Sequence, residues 1–136
     1  MFLNYINYEC REDVMDLAIY VVLANHVLEK SEEESLNQYF HELGVKKREL
    51  VPKNSLEETI KKITLNTNFK EKKMIMFELV ALAYVDGKCD DKEEKLLSEI
   101  IKSFGIKNED INSMNLLIIK LRKIYNEICE LLGKEE

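Results

Sequence analysis

The sequence predicts an all-α protein, a helical bundle of six to seven helices built from two similar three-helix halves. Three observations predict it. Glycine (4) and proline (1) are scarce, which favours helices over strands and turns. Gly44, Gly87, Gly105 and Gly133 each follow a stretch with helical apolar spacing, where a helix commonly ends in a left-handed residue. The chain also matches itself at an offset of 61 residues. Gly44 falls on Gly105, Val45 on Ile106, Leu36 on Leu97, and Glu32 and Glu33 on Glu93 and Glu94. Further along, Leu50 meets Ile111, Ile60 meets Leu121, and Ile63 meets Ile124. The reading is one domain, residues 1–136, with pseudo-repeats at about 13–66 and 68–133.

The elements follow in order. Phe2, Leu3 and Ile6 form an apolar turn that packs as a lid. A first helix is expected over 13–28, with a wholly apolar run from Leu17 to Ala24. A second begins near Ser31 or Glu32 and aligns Leu36, Tyr39, Phe40 and Leu43 on one face. Residues 46–54 form a linker holding Pro52, and its basic cluster Lys46, Lys47 and Arg48 reads as solvated. Ser55 with Glu58 has capping-box spacing before the third helix, and Asn68 with Glu71 before the fourth. Residues 74–85 are apolar except for Glu78, as expected of a helix at the centre of a domain. The fifth helix places Leu96, Leu97, Ile100, Ile101 and Phe104 on one face. Asp90 or Asp91 caps it, Asp91 having capping-box spacing with Glu94. The last begins at Asn108 or Asp110. Its stripe Ile111, Met114, Ile118, Leu121, Tyr125, Ile128 and Leu132, widened by Leu117, Ile124 and Leu131, reads as core-facing. A homodimer seam is the alternative.

Composition excludes several functions. A net charge of −6 with no basic stripe argues against nucleic acid. No apolar run reaches the roughly 20 residues of a transmembrane helix. Cys10, Cys89 and Cys129 are odd in number and widely spaced, which suits a reducing, cytoplasmic compartment better than disulfides or zinc. No export signal is apparent.

Between the fourth and fifth helices lies an acidic turn. Asp86, Asp90, Asp91, Glu93 and Glu94 put five carboxylates within nine residues. Hard cations such as calcium or magnesium take oxygen ligands, so this turn is the candidate metal site. It is not an EF-hand. Counted from Asp86, the places that need Gly and Glu hold Asp91 and Leu97. Helix capping with a solvated acidic face explains the same residues without metal. The histidines, His26 and His41, form no catalytic constellation with the cysteines or with a serine. Cys89 sits among carboxylates that disfavour a thiolate.

The stretch 77–104 carries a resemblance. An apolar helix, Asp86-Gly87-Lys88, an acidic turn with Glu93 seven residues after Asp86, and a Leu-rich helix ending in Gly105-Ile106 resemble the TerB (tellurite-resistance) family. Phe2-Leu3-Asn4 and Asp16-Leu17-Ala18 extend the resemblance over most of the chain. It implies a non-enzymatic protein associated with tellurite resistance and stress response, with a cation-linked role for the Asp86-Gly87 turn. The first half departs from the pattern, since Asn25 and His26 stand in place of Asp and Gly. The alternative is a helical module that binds a protein partner without metal.

Overall fold

The computed structural model describes residues 1–24, 28–84 and 89–133. Among these residues two 3-10 turns, Leu3–Tyr5 and Tyr8–Cys10, lead into six α-helices. These are α1 (Arg11–Leu23), α2 (Lys30–Leu43), α3 (Leu56–Asn66), α4 (Phe69–Ala83), α5 (Asp91–Phe104) and α6 (Asn108–Leu132). Among the described residues there is no strand, and no helix is long and apolar enough to cross a membrane. Helix contacts divide the chain into two units, Met1–Gly105 and Ile106–Glu136.

In the first unit α1 is the hub and touches α2, α3, α4 and α5. Its apolar residues cover more than half of its circumference: Val14, Met15, Leu17, Ala18, Ile19, Val21 and Val22 are all buried. A helix with so wide an apolar face packs on several neighbours at once. α4 is the second such element, burying Ile75, Met76, Leu79, Val80, Leu82 and Ala83 against α1 and α5. The centre expected at residues 74–85 is therefore shared with α1. The expected lid also forms. Leu3 and Ile6 are buried, and the Phe2 ring meets Phe77 edge-on at 5.8 Å.

Helix ends follow the sequence with local corrections. α1 begins two residues earlier than expected, and residues 25–27 of its expected end lie outside the described residues. α2 begins at Lys30, with Glu29 as cap in a reciprocal box with Glu32. Asn68 and Glu71 form the expected box, at 2.7 and 3.0 Å. Ser55 accepts from the Glu58 N–H at 3.2 Å. α5 is capped by Asp90, one residue before the expected Asp91–Glu94 box. A cap must hold extended backbone. Asp90 does, while Asp91 already lies inside the helix. Gly44 and Gly105 both end their helices at positive φ, 67° and 68°, where a Cβ would crowd the backbone.

The 61-residue offset carries α2 onto α5 end to end, Lys30 onto Asp91 and Leu43 onto Phe104. It carries the buried first-turn Glu32 onto the buried Glu93.

The second unit is α6, ended by Gly133 in the left-handed conformation. The core-facing expectation for its whole stripe is corrected here. Met114, Ile118 and Cys129 are buried, but Leu117, Leu121, Ile124, Tyr125, Ile128, Leu131 and Leu132 are exposed. Periodicity defines an apolar face; it does not supply the element that covers it.

Candidate functional site at the acidic turn

The five carboxylates of the turn take different roles. Asp86 lies outside the described residues, as do Gly87, Asn25 and His26. Asp90 is the N-cap of α5, and its Oδ1 accepts from the Glu93 N–H at 2.8 Å. Glu93 turns inward and is 3 % exposed. Asp91 and Glu94 occupy the first turn with Glu93 and are exposed. There they meet the positive end of the α5 dipole.

The four described carboxylates of the turn thus have different surroundings. One serves as a cap, one is buried, and two face solvent. Among the described residues no group of three or more His, Cys, Asp or Glu side chains is placed to hold a metal. The described residues alone do not fit a hard cation, which needs several converging oxygens.

Cys89 is partly exposed at the edge of this turn. Burial first, and then the charge of Glu93, push its thiol up to about 11. It is a poor nucleophile near neutral pH. His41 sits exposed in the last turn of α2.

The polar sites built most fully lie elsewhere. Asp16, within the apolar α1, is 1 % exposed. Its Oδ1 pairs with Arg48 Nη2 at 2.5 Å, and its Oδ2 accepts from the Lys53 N–H at 3.1 Å. Arg48 also donates to the Val51 carbonyl at 3.0 Å. The basic cluster expected to be solvated thus supplies the partner of a buried carboxylate. Arg11 is buried and donates to the carbonyls of Ile6, Leu43 and Asn4 at 2.8–2.9 Å. Its guanidinium stacks 4.0 Å from the Tyr8 ring centroid. Glu78, buried on α4, accepts from the Met1 ammonium at 2.9 Å and the Phe2 N–H at 3.4 Å. The Tyr39 hydroxyl donates to its carbonyl at 3.0 Å. Glu78 was visible as the single polar residue in an apolar run. Nothing local marked Asp16, because Arg48 is 32 residues away.

These features define a class: an all-helical bundle whose buried polar groups tie segments together. The comparisons narrow it. Residues 51–116 match the family model described as tellurite resistance protein TerB, a stretch that holds α3, α4, α5 and the start of α6. The fold is similar to the crystal structure of a tellurite resistance protein from Nostoc punctiforme PCC 73102. The TM-score is 0.66 at 16 % identity, covering 96 % of this chain and 84 % of that one. No curated protein matches. The family match thus covers α3 to the start of α6, and the fold of the chain is similar to that of a tellurite resistance protein.

Proposed function

We propose that this TerB-like protein is non-enzymatic, lies in the cytoplasm, and serves tellurite resistance and the stress response by binding a protein partner. The observation that carries the reading is α6, a helix with exposed apolar residues along most of its length. Exposed apolar surface of this extent on one element marks an interaction site. An open groove lies between α3 and α5, where Leu56, Ile60, Thr64, Leu65 and Ser103 stand beside Glu57, Lys61, Glu99 and Lys102. The free cysteines suit a reducing compartment. On the same footing the chain is one domain of two pseudo-repeats, an assignment supported by the common register of α2 and α5. The test is growth on tellurite of a strain lacking the protein, with and without the gene restored. The reading expects the lacking strain to be more sensitive and restoration to rescue it. Equal tolerance contradicts the reading.

A second reading places a divalent cation at the acidic turn. Asp91 and Glu94 favour it, because both stay exposed in the segment that follows Asp86. Asp90 is already engaged by the Glu93 N–H, and Glu93 is buried, so this site rests on Asp86, Asp91 and Glu94. Calorimetry with calcium and magnesium tests it. Binding lost in Asp86→Asn supports the site, and no heat at millimolar cation removes it.

A further inference from the structure

We infer that the exposed strip of α6 pairs with the same strip of a second copy of this chain, the two helices running antiparallel. The inference rests on the protein-binding reading above and names its partner.

Leu117, Leu121, Ile124, Ile128 and Leu131 are all exposed and follow one another at steps of 4, 3, 4 and 3. That is the seam of a two-stranded coiled coil, in which apolar residues recur every 3.5 positions on average. At about 100° per residue these five side chains share one narrow strip. Met114, Ile118 and Cys129, the buried residues of α6, lie roughly a quarter-turn away. The seam is thus a separate face and stays open when theirs is covered.

Charge decides the occupant and its direction. On one flank of the seam stand Lys120 and Glu127, each next to a seam residue. In an antiparallel pair Leu121 packs over Ile124 of the second copy and Leu117 over Ile128. This register sets Lys120 against Glu127 of the other copy, and the two-fold axis repeats the pair. In a parallel pair the same flank positions face Tyr125 and Leu132, and no opposite charges meet. Residues flanking such a seam select partner and orientation. The helix is therefore complementary to itself in one direction only. The basic centre Lys120, Arg122 and Lys123, followed by acidic Glu127 and Glu130, repeats this self-complementarity along the helix. A two-fold contact of this kind closes on itself and stops at the dimer.

Sedimentation equilibrium of the full chain at roughly 10–100 µM tests the inference, a range suited to a short seam. A monomer–dimer equilibrium is expected. Leu121→Asp should weaken it at least tenfold. Lys120→Glu and Glu127→Lys should each weaken it severalfold, and the double exchange should restore it, because the pairs then re-form with reversed sign. All three positions are exposed, and an unchanged helical spectrum confirms that each variant folds. A parent that stays monomeric across the range overturns the inference. So does a dimer indifferent to Leu121→Asp, or a double exchange that does not restore association. A monomer that still supports growth on tellurite, and loses that support in Leu121→Asp, overturns the second copy while leaving the protein-binding reading intact.

Discussion

Asp16 is buried inside the first unit, and among the described residues its partners are Arg48 and the Lys53 N–H. Removing one partner of a buried pair strands the other. Arg48→Ala should therefore cost about 3 kcal/mol in urea unfolding; a loss below about 0.5 kcal/mol would mean that Asp16 is well hydrated. Glu71 makes a pH prediction. Burial would raise its carboxyl, but bonds from the Asn68 and Asn7 N–H groups and the Asn7 side chain hold it below 4.5. A depressed native value stabilises the fold above the unfolded value, and that contribution is lost as pH falls through the native one. Glu71→Gln should thus flatten the fall in stability on acidification below about pH 5, and an unchanged slope would contradict this. Cys89 should resist thiol reagents at pH 7, since a thiol near 11 is almost wholly protonated. Rapid labelling of Cys89 in the folded protein would show that the turn is more open. At this scale the sequence was partly legible. A lone Glu78 in an apolar run announces a buried carboxylate. Asp16 announces nothing, because its partner comes from a loop that looks like ordinary solvated charge.

The helices were legible wherever local rules decide them. From Met74 on, α4 is apolar on every side but that of Glu78, and α5 is apolar on one, and their burial follows. Leu82, buried on α4, gives the packing test: Leu82→Ala should cost about 2–5 kcal/mol, and less than about 0.5 would show that this face is not core. The cap of α5 gives another. Asp90→Ala should cost about 1 kcal/mol by freeing the Glu93 N–H, whereas Asp91→Ala should cost less. Reversal of that order would return the cap to Asp91. One residue of register separates these two readings, and the spacing rule alone could not choose between them. What decides is the extended backbone at Asp90. α6 failed for a different reason. Its 3-4 spacing correctly foretold a long helix, but the same spacing serves a core helix and a helix that pairs outside its own chain. The distinction depends on what covers the face, which sequence periodicity does not contain.

Across the whole molecule, the offset that aligned Gly44 with Gly105 also aligns the bounds, buried first-turn glutamates and left-handed ends of α2 and α5. A shift that holds apolar positions, caps and stops together is hard to reach unless local and global preferences agree. The candidate site was less legible. Five nearby carboxylates looked alike in sequence, while backbone geometry makes one of them a cap and turns another inward. On the proposed reading the functional weight therefore shifts from the acidic turn to α6. Tellurite tolerance of a strain lacking the protein, restored with either Leu121→Asp or Asp86→Asn, tests that shift most directly. The account predicts that Asp86→Asn restores growth as the parent does and Leu121→Asp fails, with both proteins folded and equally abundant. Rescue by Leu121→Asp with failure of Asp86→Asn would contradict it and return the function to the turn.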